Sequence, residues 1–177
     1  MREEIEVKLR LEDPAALLRE LERAGAQLLR STQEEDTYYS HPCRDFGSTD
    51  EALRIRVSPQ GAELTYKGPR GGGEVKSRAE ITVKVEDPAS AAELLRSLGF
   101  EPVATIRKRR SYYRLGRAIV SVDDVEGLGH FLEIEAEDES LGAQYVESVA
   151  RSLGLRWSPV EETYLEMALR RLRDSRA

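Results

Sequence analysis

Paired carboxylates on two segments far apart in the chain are the first feature of this sequence that could do chemistry. Glu4 and Glu6 lie in Glu-Ile-Glu-Val-Lys near the start, and Glu133 and Glu135 lie in Phe-Leu-Glu-Ile-Glu. Alternate side chains of a strand share a face, so the carboxylates of each pair lie roughly 7 Å apart on one side. Carboxylates on rigid strands suit hard divalent cations. For either strand alone, the competing interpretation is an amphipathic strand with its glutamates in water.

Basic side chains alternate with apolar ones in the segments between these two pairs. Arg54 and Arg56 oppose the apolar Leu53, Ile55 and Val57. The same alternation places further charged residues on one face of their segments: Lys67, Arg78, Glu80, Lys108 and Arg110. In an ordinary sheet packed on helices such faces meet solvent. Here acidic side chains gather on the first strand and the two last ones, and paired Arg and Lys lie on the strands between them. This sorting favours a sheet that curls its charged faces inward.

A curled sheet of about eight antiparallel strands would enclose a hydrophilic tunnel and turn its aliphatic faces outward against helices. A charged interior of this kind is costly unless something occupies it. A triphosphate with Mg²⁺ or Mn²⁺ satisfies both kinds of side chain, because Arg and Lys neutralise phosphate oxygens and carboxylates hold the ion. The pattern therefore predicts an α+β fold around an eight-stranded antiparallel β-barrel, with helices packed outside.

The elements that must position these residues follow from periodicity and turn signals. Strands are predicted at 2–11, 33–40, 52–58, 62–68, 77–85, 104–114, 118–124 and 130–137. Helices are predicted at 14–24, 88–98, 140–153 and 161–174. The apolar stripe of the last helix is expected to be core, with a homodimer contact as the alternative. Its residues are Tyr164, Leu165, Ala168, Leu169 and Leu172.

An internal repeat divides the chain into two related halves, about 1–75 and 76–177. The segment Glu4–Leu9 reappears as Glu80–Val85, and each is followed by Asp-Pro, at Asp13 and at Asp87. Aspartate as N-cap with proline at the first helical position predicts a helix start in both halves. We therefore expect one domain, residues 1–177, built from a duplicated α+β unit.

Composition excludes several classes of function. The chain has 177 residues, 40% of them hydrophobic, and a net charge of −6, which argues against a general affinity for nucleic acid. There is no apolar run near the roughly 20 residues that span a bilayer and no signal-like apolar segment, so a cytoplasmic protein without membrane attachment is expected. The single cysteine, Cys43, rules out an internal disulfide and a thiolate metal cluster.

The order of the motifs resembles a known family, the CYTH domain or triphosphate tunnel metalloenzymes. The matching motifs are Glu-x-Glu-x-Lys at Glu4, Glu6 and Lys8, Leu53-Arg54-Ile55-Arg56, Leu64-Thr65-Tyr66-Lys67-Gly68-Pro69, Arg78-x-Glu80, Lys108-x-Arg110, and the run from Asp123 to Glu135. The layout, including Asp36-Thr37-Tyr38-Tyr39, is most similar to the class IV adenylate cyclase branch. The family also includes thiamine, inorganic and RNA triphosphatases. One departure from the family habit is Glu162-Thr163-Tyr164 in the final helix.

The resemblance implies a role for each matching position. Metal ions, Mg²⁺ or Mn²⁺, would be held directly or through water by Glu4, Glu6, Asp123, Glu133 and Glu135. The polyphosphate would be bound by Lys8, Arg54, Arg56, Lys67, Arg78, Lys108 and Arg110. Catalysis is assigned to Lys8, Glu6 and Lys67. Glu80 either completes the acidic set or orients a neighbouring cation.

The implied substrate is a nucleoside triphosphate, thiamine triphosphate or inorganic triphosphate. The first interpretation is class IV adenylate cyclase chemistry, in which ATP gives cyclic AMP and pyrophosphate. Hydrolysis of the terminal phosphate of inorganic or thiamine triphosphate is the alternative, and a polyphosphate-binding module with little catalysis is a third. Adenine recognition would need donors or acceptors in the loops at 40–50 or 70–76, where the sequence identifies none.

Overall fold

The computed structural model describes residues 2–71 and 76–175, except for the side chains of residues 2–4, 76, 77 and 139. The eight strands found within these ranges are β1 (Arg2–Leu11), β2 (Gln27–Ser40), β3 (Ala52–Ser58), β4 (Gly61–Arg70), β5 (Lys76–Val85), β6 (Glu101–Leu115), β7 (Ala118–Val125) and β8 (Gly129–Ala136). The α-helices of the same ranges are α1 (Pro14–Arg23), α2 (Pro88–Ser97), α3 (Gly142–Ser152), which follows a 3₁₀ turn at Glu139–Leu141, and α4 (Tyr164–Asp174).

The strands form one closed antiparallel barrel in the order β1-β5-β4-β3-β2-β6-β7-β8. The first strand closes it by dividing its length between two partners. Its first part pairs with β5, up to Glu6 opposite Lys76, and its second part pairs with β8, from Glu6 opposite Glu135 to Leu11 opposite His130. The predicted eight-stranded barrel with outer helices is thereby confirmed.

Apolar side chains of the strands point outward and are covered by the helices. Helices α1 and α3 build one cluster with β1, β7 and β8, in which Val7, Val120 and Ile134 are completely buried. Helix α2 packs through Leu95 on the outer faces of β3 and β4. Because these aliphatic faces are used for contacts with α1, α2 and α3, the charged faces of the same strands turn inward.

Helix α4 differs: it packs on Phe131, which shares the inward face of β8 with Glu133. Tyr164 and Leu169 of α4 line the barrel interior.

The two Asp-Pro helix starts adopt the same local structure. Asp13 and Asp87 are the N-caps of α1 and α2, and each carboxylate accepts a backbone N–H of the first turn. Each helix is followed by a glycine with positive φ, Gly25 at 73° and Gly99 at 91°, a region that glycine occupies without steric cost. The element order strand, helix, three strands occurs twice, in keeping with the predicted halves. Their relation by duplication stays a prediction.

Element boundaries differ from the prediction mainly in β2, which begins at Gln27 rather than at residue 33. The first five residues of β2 are all exposed, so they carry no alternation of apolar and polar side chains. Pairing with β6 holds them in the sheet, and β6 itself begins at Glu101 rather than at residue 104. Helix α4 begins at Tyr164 rather than at residue 161, because Thr163 and Glu166 form a capping box there.

None of the helices in the described ranges has the length and apolar character needed to cross a membrane.

Candidate active site in the barrel interior

The barrel encloses a cavity of about 670 Å³ on which the charged faces of the strands converge. The predicted residues that line it are Glu6, Lys8, Arg54, Arg56, Lys67, Arg78, Lys108, Arg110, Glu133 and Glu135. The other two predicted metal ligands, Asp123 and Glu4, are not among these lining residues. Asp123 is completely buried behind the lining residues, and the side chain of Glu4 lies outside the described part of the chain. Seven basic side chains from five strands therefore share one interior space.

A carboxylate of β2 holds three of these bases together. The Asp36 carboxylate accepts two hydrogen bonds from Arg56, one from Nε at 2.6 Å and one from Nη2 at 2.8 Å. It accepts a third hydrogen bond from Lys108 Nζ at 2.7 Å. Arg54 Nη1 is 3.4 Å from Asp36 Oδ2. Burial alone would raise the pKa of Asp36, but Arg54, Arg56 and Lys108 hold that pKa well below its usual range. Asp36 is therefore a fixed anion that positions three cations toward the cavity.

Glu34, two residues earlier on the same face, extends this network. Its Oε2 lies 3.1 Å from Arg56 Nη1 and 3.2 Å from Lys108 Nζ, and its Oε1 accepts a hydrogen bond from the Tyr112 hydroxyl at 2.5 Å. Burial opposes ionisation of Glu34, but Arg56, Lys108 and Arg110 lower its pKa overall. Glu34 is thus a second fixed anion beside the bases that were predicted to bind phosphate.

The two β2 carboxylates correct the predicted sorting of charges. The sequence pattern placed the acids on the first strand and the two last ones, and Asp36 entered only through the resemblance to the family layout. Glu34 and Asp36 alternate along β2, which was a usable signal. Asp36 is the direct register partner of Arg56 on β3, and Glu34 that of Lys108 on β6. Finding these partners required knowing that β2 lies between β3 and β6.

Lys108 has an unusual electrostatic setting among the tunnel bases. It is almost completely buried, and burial together with the neighbouring Arg56 and Arg110 lowers the pKa of its ammonium group to about 8. Asp36 and Glu34 oppose this shift but do not cancel it. A lysine that is only partly protonated near neutral to slightly basic pH is sensitive to an arriving polyanion, because phosphate would stabilise its charged form.

A second buried network joins β6, β7 and β8. Arg110 donates to both oxygens of Asp123 and also to Glu133, while Lys8 Nζ is 3.7 Å from Glu133 Oε1. Burial would raise the pKa of Glu133, but Arg110 and Lys8 hold it far below the usual range. Glu133 is therefore ionised and already has cationic partners, and Asp123 is held mainly by Arg110.

Helix α4 contributes a residue to this network that sequence reasoning assigned only to the core. Tyr164 packs on Phe131 with ring centroids 5.1 Å apart, as expected for the core. Its hydroxyl also donates to Asp123 at 2.7 Å, and its ring lies 4.1 Å from Lys8 Nζ. Burial and the nearby Glu133 and Asp123 raise the pKa of Tyr164 well above its usual value, so the hydroxyl stays a donor.

The other residues of the predicted apolar stripe of α4 lie in three different places: the core, the tunnel wall and the surface. Leu165 and Ala168 pack against the Tyr164 cluster, and Leu169 lines the tunnel. Leu172 is 46% exposed, so its assignment to the core was wrong. The stripe extends beyond the part of α4 that contacts the barrel.

Glu80 contacts a base rather than another acid in the part of the chain described. Lys67 Nζ is 2.8 Å from Glu80 Oε2, and although burial opposes ionisation, Lys67 and Arg54 lower the pKa of Glu80 to about 2. Of the two roles considered for Glu80, this geometry supports orienting a cation. Arg78 is buried and donates to the Gly68 carbonyl at 3.1 Å.

Glu6 and Glu135 are the carboxylates whose placement suits a divalent cation. They are direct register partners on β1 and β8, and both line the cavity. Like charges directly opposite each other destabilise a strand pair, and a bound cation would relieve that cost. Oxygen-only donors fit Mg²⁺ or Mn²⁺. In the described residues no group of three or more acidic, His or Cys side chains is already arranged to chelate an ion.

The fold and the site define the class: a closed antiparallel barrel whose interior brings together clustered basic side chains and an opposed pair of carboxylates. The sequence model for the CYTH domain matches residues 2–164. The chain belongs to the CYTH domain family, as the motifs predicted. Enzymes of this family depend on divalent metals and act on triphosphate substrates.

Named relatives and solved structures agree with that membership. The chain is 41% identical over 132 residues to a Methanocaldococcus jannaschii protein provisionally named an adenylate cyclase, covering 75% of each chain. It is 35% identical over 166 residues to the adenylate cyclase CyaB of Aeromonas hydrophila, covering 89% of this chain and 84% of that one. The PH1819 protein of Pyrococcus horikoshii superposes with a TM-score of 0.85 at 36% identity, over 95% and 99% of the two chains.

Proposed function

We propose that this protein is a divalent-metal-dependent adenylate cyclase of the class IV type, which converts ATP to cyclic AMP and pyrophosphate. The observation that carries the proposal is the convergence of seven basic side chains on one enclosed cavity that also contains the opposed pair Glu6 and Glu135. The cyclase names of the two relatives, at 41% and 35% identity, support the choice among triphosphate reactions.

Binding of the triphosphate would be the task of the two buried networks. Arg54, Arg56 and Lys108 are held side by side by Asp36, and Lys8 and Arg110 are held by Glu133. Fixed carboxylates of this kind keep cations in place before the ligand arrives, so little reorganisation is needed at the reaction. Arg and Lys can then neutralise the phosphate oxygens and stabilise the charge that develops on the departing pyrophosphate.

Glu6 and Glu135, with Glu4 as a further candidate, are proposed to hold the metal ion. The chemistry that a divalent ion would supply at these carboxylates is Lewis acidity and positive charge for a bound triphosphate. For the cyclase, the ribose 3′-oxygen would bond to the α-phosphorus and its hydroxyl proton would be released to solvent. The bond that breaks joins the α-phosphorus to the α–β bridging oxygen of ATP, which leaves as a terminal oxygen of pyrophosphate. Asp123 and Glu133 are already held by Arg110, so we propose that they act first by orienting that arginine, and Lys67 is positioned by Glu80.

Product identity tests the proposal directly. Purified protein is incubated with Mg²⁺ or Mn²⁺ and, separately, ATP, inorganic triphosphate and thiamine triphosphate, and the products are resolved by chromatography. Cyclic AMP and pyrophosphate in equal amounts are expected from ATP. Orthophosphate without cyclic AMP would overturn the cyclase assignment in favour of a triphosphatase. Tight triphosphate binding without turnover in either metal would indicate a binding module, although such a module has no use for the opposed Glu6 and Glu135.

A further inference from the structure

The ammonium group of Lys8 is enclosed by two parts of the chain that lie far apart in the sequence. From the barrel, Glu133 Oε1 of β8 lies 3.7 Å from Lys8 Nζ. From the segment that leads into α4, the Glu162 carbonyl accepts a hydrogen bond from Lys8 Nζ at 3.2 Å. From α4 itself, the Tyr164 ring covers the ammonium group, with its centroid 4.1 Å from Nζ. Lys8 lines the tunnel and is only 4% exposed, so the start of α4 helps to set where its charge lies.

The Tyr164 hydroxyl reaches a second base of the tunnel through one carboxylate oxygen. It donates a hydrogen bond to Asp123 Oδ2 at 2.7 Å. The same oxygen accepts a hydrogen bond from Arg110 Nη2, and Arg110 Nε donates to the other oxygen, Oδ1, at 2.5 Å. Asp123 is completely buried behind the tunnel lining, whereas Arg110 lines the tunnel. The phenol therefore fixes the carboxylate that in turn holds the guanidinium group.

The start of α4 is itself bonded to the barrel, which gives Tyr164 a fixed place. The Val160 N–H donates to the main-chain carbonyl of Lys8 at 2.8 Å, so the segment before α4 is bonded to the residue that Tyr164 covers. Glu166, which belongs to the capping box of α4, has its Oε1 2.9 Å from Arg70 Nη2 of β4. Strand β1 and the start of α4 are therefore held together at Lys8 through main-chain as well as side-chain contacts.

A role in packing alone would not need the hydroxyl of Tyr164. The contact with Phe131 uses only the ring, which phenylalanine would also supply. A buried phenol hydroxyl costs free energy unless it finds a partner, and this one is bonded to the carboxylate that holds Arg110. The ring likewise faces the ammonium group of Lys8 as well as its apolar neighbours. Both parts of the side chain thus contact the network of tunnel bases.

We propose that Tyr164 is a positioning residue of the triphosphate site, acting on Lys8 through its ring and on Arg110 through Asp123. This role rests on the proposed function, in which the tunnel binds a triphosphate. Cations that are fixed before the ligand arrives bind phosphate oxygens without a further cost of ordering. A hydrogen bond to a charged group holds its partner more firmly than a bond between neutral groups. The ring and the hydroxyl should therefore each contribute to triphosphate affinity.

The affinity for inorganic triphosphate, measured by calorimetry in EDTA, separates the two contacts without requiring turnover. Tyr164→Phe keeps the ring and removes the hydroxyl, so its Kd is expected to rise about 3- to 10-fold. Tyr164→Leu also removes the ring, and its Kd should rise about 3- to 30-fold beyond that of Tyr164→Phe. The matched control is Tyr145→Phe on α3, because the Tyr145 hydroxyl accepts from the main-chain N–H of Arg117, away from the tunnel. Its Kd should equal that of the wild type.

Two further backgrounds show whether Tyr164 acts through the bases. In Lys8→Ala the ring has no ammonium group to hold, so the difference in Kd between Tyr164→Phe and Tyr164→Leu should fall below about 2-fold. In Arg110→Lys the forked contact with Asp123 is lost, so the difference in Kd between Tyr164→Phe and the unchanged tyrosine should fall in the same way. If Tyr164 served only to hold α4 in place, each substitution would raise Kd by the same factor in every background.

The outcomes for Tyr164 are distinguishable from those for the proposed reaction. Equal factors in all backgrounds overturn the positioning role, and so does a wild-type Kd in Tyr164→Phe and Tyr164→Leu. If Tyr164→Leu does not fold, as judged by circular dichroism, Tyr164→Phe in the wild-type and Arg110→Lys backgrounds still decides the role of the hydroxyl. Failure to form cyclic AMP from ATP overturns the cyclase assignment alone, because the Kd comparisons involve no turnover.

Discussion

Glu6 of β1 lies directly opposite Glu135 of β8 in the strand ladder, and both side chains line the tunnel. The next pair on the same face, Lys8 and Glu133, has opposite charges and forms an ion pair at 3.7 Å. One step along the ladder thus changes an attractive pair into a repulsive one. We propose that a divalent cation binds at this like-charge pair.

Replacing Glu6 by glutamine should separate metal binding from folding. Without metal, Glu6→Gln is expected to unfold close to the wild-type temperature. Neutralising one member of the like-charge pair with Glu135 stabilises by about 0.2–1 kcal/mol, and losing the negative charge opposite Lys76 of β5 offsets part of that gain. With Mn²⁺, the variant should gain less thermal stability than the wild-type protein. Thermal unfolding in EDTA and in increasing Mn²⁺ measures both effects. Glu12→Gln, an exposed control, should respond to Mn²⁺ like the wild type, and a full Mn²⁺ response in Glu6→Gln would contradict the metal role.

Asp36→Asn should make folding depend on a polyanion. The substitution leaves Arg54, Arg56 and Lys108 buried without their shared carboxylate, and removing one partner of a buried ion pair typically costs about 3–5 kcal/mol. Inorganic triphosphate should raise the unfolding temperature of the variant more than that of the wild type, since phosphate replaces the missing negative charge. Glu35→Gln, on the adjacent outward-facing position, removes a solvent-exposed pair with Arg107 and should change stability by less than about 1 kcal/mol. Equal ligand-induced shifts in Asp36→Asn and wild type would argue against phosphate binding at this cluster.

Arg54→Ala should weaken substrate binding more than it slows chemistry. A charged hydrogen bond contributes about 1.5–3 kcal/mol, which corresponds to a rise in KM of roughly 10- to 150-fold. Steady-state kinetics with ATP, together with calorimetric binding of inorganic triphosphate, separate KM from kcat. The control is Arg107→Ala, an outward-facing arginine on β6 that is largely exposed. An unchanged KM in Arg54→Ala would remove this residue from the binding set.

Lys108 should give the reaction a basic limb in its pH dependence. The pKa of Lys108 is lowered to about 8 in the folded protein, so its positive charge is present below that pH and lost as the pH rises through it. We expect kcat/KM, which reports the free enzyme, to fall above about pH 8, and kcat to fall only at higher pH, because bound phosphate stabilises the ammonium form. Lys108→Arg should shift this limb upward, since arginine stays protonated. A limb that is identical in Lys108→Arg would assign it to another group.

Deprotonation of Lys108 should have opposite effects on activity and on stability: activity falls as the pH rises, whereas the stability of the fold increases. Its folded pKa of about 8 lies below its ordinary value of 10.5, so between these two values the unfolded chain binds more protons than the folded one. Stability from this group therefore rises with pH across that window. The unfolding temperature should rise from pH 8 to 10, and the rise should be smaller in Lys108→Arg than in the wild type. Since kcat/KM falls over the same range, the two measurements separate a role in binding from a role in folding.

The sequence by itself determined the local structure and the chemical character of each strand face. Alternation within single strands, such as Leu53-Arg54-Ile55-Arg56, fixes which residues share a side whatever the neighbours are. The Asp-Pro starts at Asp13 and Asp87 act within one turn of helix, so both were predicted correctly. Ten of the predicted site residues meet in one cavity because the barrel turns all inward faces to a common axis.

Only the tertiary structure decided which charges are partners and which apolar faces are covered. Glu34 and Asp36 became counter-ions of the tunnel bases because β2 lies between β3 and β6. Tyr164 reaches Asp123 across a sequence separation of 41 residues, and no local pattern encodes that contact. In the same way α3 covers β1 while β5, with a related sequence, stays exposed. Local periodicity sets the face of a residue, but the free energy of burying that face depends on elements distant in the chain.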